Sequence, residues 1–126
     1  MNFLETVRNK LVASQKLFEA LDDRGADLDA IHTVEHHFVA PQKTILEKIG
    51  KEATFLGFGY GEIRELRPED GSTSFSADAL SHIPILSEDY DVFIPAAREA
   101  IIMVALAKAY GAEYDGWGTK MIKKAS

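Results

Sequence analysis

The chain has 126 residues and a formal net charge of −6, from 14 basic and 20 acidic residues, which suits a single domain over 1–126 with one hydrophobic core. The acidic balance argues against nonspecific binding to nucleic acid, because contacts with phosphates require clustered Lys and Arg. The chain has no cysteine, which excludes disulfides, thiolate catalysis and cysteine-based zinc sites.

The first half of the chain is predicted to hold two amphipathic helices with a strand between them. Apolar residues recur at helical spacing over 2–23, and Gly25 suits the end of that helix. Residues 31–39 are rich in β-branched and aromatic side chains, which favours a strand. Pro41 suits the first turn of a second helix that ends at Gly57. The apolar face predicted for the first helix comprises Leu4, Val7, Leu11, Phe18 and Leu21.

The second half is predicted to contain two strands, a long helix and a last strand. Residues 58–66 and 73–80 favour strands on either side of a turn, although Gly59 and Gly61 weaken the first. Residues 82–91, which include Pro84, are expected to be irregular. The helix is predicted over 94–110, and the last strand over 112–122.

The predicted order is therefore α-β-α-β-β-α-β. Without the first helix, this is the order of the ferredoxin-like β-α-β-β-α-β unit. We predict an α+β ferredoxin-like sandwich with an extra N-terminal helix and a four-stranded antiparallel sheet. In that topology the first and last strands are antiparallel neighbours.

Two segments concentrate the chemically unusual residues. The histidine segment, residues 31–39 (IHTVEHHFV), holds three of the four histidines, and the tryptophan segment, residues 113–119 (EYDGWGT), holds the only Trp. The predicted topology places them side by side, so we expect a polar and aromatic patch. On a regular strand Tyr114 and Trp117 face opposite ways, whereas a bulge at Gly116 would put them on one side. Composition alone leaves Trp117 equally open to burial in the core and to exposure in an interface.

The histidine segment also contains the spacing H-x-x-E-H of inverted zinc hydrolases. That motif acts on a helix, whereas on a strand His32 and His36 share one face and Glu35 points to the other. His36 and His37 are adjacent and would also point to opposite faces. We therefore expect no metal, no cofactor and no catalytic residues. Two further ideas without positive support are acid–base catalysis by Glu35 and Asp115, and a looser metal site from His36, His37, Glu113 and Asp115.

The two segments resemble the two motifs of the RraB family, which are regulators of ribonuclease E activity. The resemblance covers residues 30–119, and the second motif is the more specific. It rests on residues 33–37 (TVEHH), 113–119 (EYDGWGT), 46–48 (LEK), 56–58 (LGF) and 69–71 (EDG).

The resemblance implies a non-enzymatic regulator with a modified ferredoxin-like fold. A cytoplasmic location is expected on separate grounds, because the sequence shows neither a secretory signal nor an apolar run long enough to span a bilayer. Family members bind ribonuclease E and modulate RNA cleavage, which alters RNA turnover through protein–protein contact. The expected partner is a ribonuclease E-like enzyme or a basic scaffold segment of one, with no direct binding of nucleic acid and no membrane contact. The expected protein-binding residues are Glu35, His36, His37, Tyr114, Asp115 and Trp117.

This sequence differs from well-known family members near its C-terminus. Those members continue past the second motif into a long acidic tail, whereas here the motif is followed by Lys120, Lys123 and Lys124. We expect any contribution of such a tail to ribonuclease binding to be missing. Two alternative functions stay open at this point: a small metal-dependent hydrolase, and a dimeric ferredoxin-like domain that binds a small ligand.

Overall fold

The computed structural model describes residues 2–67, 71–87 and 93–125. None of the helices within these ranges combines the length and the hydrophobicity that a membrane span requires. The helices and strands follow in the order α1 (Phe3–Asp23), β1 (Ile31–Ala40), α2 (Lys43–Phe55), β2 (Gly59–Tyr60), β3 (Arg64–Leu66), β4 (Ser74–Pro84), α3 (Pro95–Tyr110) and β5 (Glu113–Thr119).

The strands form one antiparallel sheet in the order β2-β4-β1-β5, with β3 also paired to β4. This confirms the α+β class and the ferredoxin-like strand order. The described residues form five strands, one more than predicted, because the stretch predicted as one strand over 58–66 is divided into β2 and β3. Gly61 leaves the regular ladder there, although its N–H still donates to the Asp78 carbonyl oxygen at 2.9 Å.

Helix α1 begins at a side-chain cap, because the Asn2 Oδ1 accepts from the Glu5 N–H at 2.8 Å. Its prediction was wrong at Leu4, which is 73% exposed. Val7, Leu11, Phe18 and Leu21 face the core as predicted, and Phe3 packs there in place of Leu4. Phe3 and Leu4 precede Val7 by four and three positions, so both fit the helical spacing and packing decides which of them is buried.

Strand β4 is longer than predicted. The expected irregular stretch from residue 82 is wrong for residues 82–84, which continue the strand and pair with β1 as far as Ile31 opposite Pro84. A proline is tolerated at the last position of a strand, since it removes only its own backbone donor. Residues 88–91 of the same prediction lie outside the described residues.

The core lies between the helices and one face of the sheet. Helices α2 and α3 contact the sheet, and α1 packs on α3 and β5. Gly50 of α2 allows Tyr60 to approach closely, because a Cβ there would lie 2.6 Å from the Tyr60 ring. The largest fully buried apolar side chains are Phe38, Leu46, Ile49, Ile85 and Met103, each of which stabilises the fold by roughly 1.5–3 kcal/mol.

Candidate functional site

The histidine and tryptophan segments form neighbouring antiparallel strands, as predicted. His36 lies opposite Trp117 and Phe38 lies opposite Tyr114 in the pairing of β1 with β5. Between these two pairs, one residue of β1, His37, lies opposite two residues of β5, Asp115 and Gly116, which is a bulge. Gly116 has φ +100°, a conformation that glycine adopts without strain. The bulge places Tyr114 and Trp117 on the same side of the sheet.

The six residues expected to bind a partner divide between the two faces of the sheet. His36, Tyr114 and Trp117 point to the helices and are 0%, 3% and 8% exposed. Glu35 and Asp115 are exposed, and His37 is partly exposed. The segments are brought together, but their side chains do not form a single surface.

A buried polar network surrounds His36. Its Nδ1 lies 2.7 Å from the Tyr114 hydroxyl, and its Nε2 lies 3.0 Å from Glu99 Oε1. The Ser81 hydroxyl donates to the same carboxylate oxygen at 2.6 Å. Since an ionised carboxylate only accepts, His36 Nε2 carries the proton and, in the neutral ring, Nδ1 accepts from Tyr114. The network therefore joins β1, β4, β5 and α3.

Burial first, and the Glu99 carboxylate second, raise the pKa of the Tyr114 phenol above its ordinary value. The hydroxyl therefore keeps the proton that it donates to His36. Among the described residues, every buried side-chain nitrogen or oxygen has a hydrogen-bond partner. A network whose buried atoms are all hydrogen-bonded specifies one packing of the core.

Trp117 connects the sheet to α1. Its indole Nε1–H donates to the Ser14 hydroxyl at 2.9 Å, and both residues are buried. Ser14 and Leu21 are the fully buried residues of α1. The question that composition left open for Trp117 is thus decided in favour of the core.

The residues of the H-x-x-E-H spacing do not assemble a hydrolase centre. His32 is buried, its Nδ1–H donates to the Ala30 carbonyl at 2.8 Å, and its Nε2 accepts from the Ile122 N–H at 3.1 Å. Both ring nitrogens are therefore occupied by backbone groups. Glu35 lies on the opposite face of β1 from His32 and His36, as the strand periodicity predicts.

We call the other side of the sheet the open face; it presents Thr33, Glu35 and His37 of β1, together with Asp78 and His82 of β4. His37 Nδ1–H donates to Asp78 Oδ1 at 2.7 Å. Arg64 of β3 contacts Asp78 Oδ2 at 3.3 Å through a side chain that is 60% exposed. This face is charged and accessible, and its residues are fixed in position by three adjacent strands.

Sequence reasoning missed four residues of these arrangements: Ser14, Asp78, Ser81 and Glu99. Glu99 had a usable signal, since it is a charged residue within the apolar pattern of α3. Asp78 and Ser81 had none, because alternating polar residues on a half-exposed strand are ordinary. Ser14 also had no signal, because a polar residue on an amphipathic helix is ordinary until its contact with Trp117 is known.

Comparison with known proteins identifies the family. The family model described as regulator of ribonuclease activity B matches residues 12–119, which include both segments and the second half of α1. The protein of that name from Salmonella typhi is 35% identical over 115 residues, which are 91% of this chain and 79% of the relative. Those from Pseudoalteromonas atlantica and Escherichia coli are 34% and 32% identical, over 87% and 91% of this chain and 89% and 79% of each relative.

Each match covers most of this chain and most of the relative, so the similarity is not confined to the two segments. The resemblance inferred from residues 33–37 and 113–119 is confirmed. The chain belongs to the RraB family, regulator of ribonuclease activity B.

Proposed function

We propose that this protein regulates a ribonuclease by binding it through the open face and the adjoining edge strand β5. The relatives described above are named regulators of ribonuclease activity. Ribonuclease E, or a basic segment of its scaffold, is the partner that we propose, and the cytoplasm is the proposed place of action. The observation that supports this most is the charged, accessible face that the antiparallel sheet presents away from its helices.

The residues proposed to contact the partner are Glu35, His37 and Asp115. They are exposed or partly exposed and lie on β1 and β5, so their backbone positions are fixed before binding. A preorganised surface binds at a lower entropic cost than a mobile loop. His36, Tyr114 and Trp117 support the surface from below, because their hydrogen bonds hold β1 and β5 against the helices.

Charge favours a basic protein partner over RNA. The formal net charge of −6 repels phosphates, whereas it attracts and orients a cationic segment. We expect added salt to weaken the complex, because salt screens interactions between exposed charges. The proposed regulator has no catalytic activity of its own, because His36 is fully buried and both of its ring nitrogens are occupied, by Tyr114 and by Glu99.

The test is to measure the affinity of the purified protein for ribonuclease E by calorimetry. We expect His37→Ala and Asp115→Ala each to weaken binding by about 1–3 kcal/mol, a typical loss at an interface hot spot. Lys48→Ala is the matched control, because Lys48 is an exposed residue on α2, away from the open face. Circular dichroism should show that all three variants keep the fold.

Unchanged affinity in both His37→Ala and Asp115→Ala would place the interface elsewhere on the protein. Tight binding of free RNA by the wild type would overturn the proposal of a protein partner. Loss of binding in Trp117→Ala would decide nothing, because removing this buried side chain also damages the fold.

A further inference from the structure

Three side chains on the open face bring metal-binding atoms together: Glu35, His37 and Asp78. One donor atom from each lies within 4.8 Å of the others. Glu35 and His37 are two positions apart on β1 and therefore share a face. Asp78 lies directly opposite His37 in the pairing of β1 with β4. Adjacent strands therefore hold all three residues, which makes their spacing a property of the sheet.

We propose that Glu35, His37 and Asp78 bind a divalent transition-metal ion of the zinc class. An imidazole nitrogen with two carboxylate oxygens is a donor set that such ions accept, whereas Mg²⁺ prefers oxygen alone. Donors bound to one zinc ion at about 2.0–2.2 Å lie at most about 4 Å apart. The side chain of Glu35 is exposed, so it is free to close the small remaining distance.

The contacts already made by Asp78 prepare the site. Asp78 Oδ1 lies 2.7 Å from His37 Nδ1. An ion that takes the place of the Nδ1 proton, which the neutral ring then carries on Nε2, meets two donors at once. Asp78 Oδ2 contacts Arg64 at 3.3 Å, but the Arg64 side chain is 60% exposed. Exposed ion pairs of this kind contribute only about 0–1 kcal/mol. Arg64 can therefore move aside while the two carboxylates attract the cation.

This proposal replaces the expectation of no metal, which was drawn from the H-x-x-E-H spacing, and it concerns a different site. That spacing would use His32 and His36, which are buried on the helix side and occupied by hydrogen bonds. The proposed site uses the opposite face of β1 and needs a residue from β4 that no local motif indicates. It concerns the isolated chain, so it does not depend on the proposed ribonuclease partner.

The experiment is calorimetric titration of the untagged protein with zinc chloride and, separately, with magnesium chloride. We expect one zinc ion per chain and much weaker binding of magnesium. His37→Ala and Asp78→Asn should each weaken zinc binding by at least about tenfold, the lower end of the loss seen when even outer-shell partners of a metal are removed.

His82→Ala is the matched control. His82 is an exposed histidine on the same face, with Nδ1 3.1 Å from the Thr33 hydroxyl, and it lies outside the proposed set. Its variant should bind zinc as the wild type does. Zinc binding that persists in His37→Ala, that disappears in His82→Ala, or that magnesium equals in strength would overturn the proposal. So would the absence of zinc binding at millimolar excess.

Discussion

His36 and His37 are adjacent in the sequence, yet they belong to different environments. His36 is fully buried between Tyr114 and Glu99, whereas the side chain of His37 is 38% exposed beside Asp78. The difference follows from the alternation of a strand, which sends consecutive side chains to opposite faces. Residues that are neighbours in the sequence motif therefore have two different roles. Those on one face hold the sheet to its helices, and those on the other face are accessible to a partner.

The largest effect expected from this comparison is on stability. His36→Ala should lower the free energy of unfolding by about 2–4 kcal/mol, because it leaves a cavity and removes a partner from buried Tyr114 and from the partly buried Glu99 carboxylate. His37→Ala should lower it by at most about 1.5 kcal/mol, the upper net value of one hydrogen bond, because its contact with Asp78 is partly exposed to solvent. Urea unfolding of both variants measures the difference, and similar losses in the two would refute the division of faces.

The bulge that turns Tyr114 and Trp117 to one side is expected to depend on Gly116. Gly116→Ala should cost about 1–2 kcal/mol, because the residue has φ +100° and an added Cβ meets no neighbour, so the cost is backbone strain alone. Gly118→Ala is the control; its φ is not positive, and its Cβ would lie 3.6 Å from His37 Nε2, an ordinary contact. Thermal unfolding of the two variants should separate them, and equal melting temperatures would mean that alanine at position 116 adds no backbone strain.

The hydrogen bond that attaches α1 to the sheet is expected to contribute less to the free energy of unfolding, and its contribution can be measured separately. A double-mutant cycle of Ser14→Ala and Trp117→Phe should give a coupling of about 0.5–1.5 kcal/mol, the usual net value of a hydrogen bond. Both substitutions keep most of the buried volume, so the cycle isolates the contact between Trp117 Nε1–H and the Ser14 hydroxyl. A coupling indistinguishable from zero would mean that this hydrogen bond does not contribute to holding α1 on the sheet.

The smallest expected effect is on the pKa of Tyr60, to which Asp78 of the open face contributes. Burial, and to a lesser extent the Asp78 carboxylate, raise the pKa of Tyr60 to about 12. The folded state therefore holds the phenol proton of Tyr60 more tightly than the unfolded state does. The resulting contribution of Tyr60 to stability is fully present below pH 10 and is lost as the pH rises through 12. Asp78→Asn should lower the pKa of Tyr60 slightly, which absorbance titration of the phenolate can follow. A large decrease would contradict burial as the main cause.

Much of this arrangement is predictable from local patterns. Strand periodicity and element order give the pairing of β1 with β5, and Gly116 indicates the bulge that aligns Tyr114 with Trp117. The partners Ser14, Asp78, Ser81 and Glu99 are not predictable in this way, because each comes from a different element with an ordinary local sequence. The contact of Trp117 with Ser14 spans 103 positions, so only the assembled fold brings the two together.

The central claim is that the open face meets the ribonuclease while the helices do not. Because the chain has no cysteine, single substitutions can carry a photo-crosslinker at one defined position. We predict that the probe on Glu35→Cys crosslinks to ribonuclease E in the complex and that the probe on Lys48→Cys, exposed on α2, does not. Crosslinking from Lys48→Cys with none from Glu35→Cys would contradict the account.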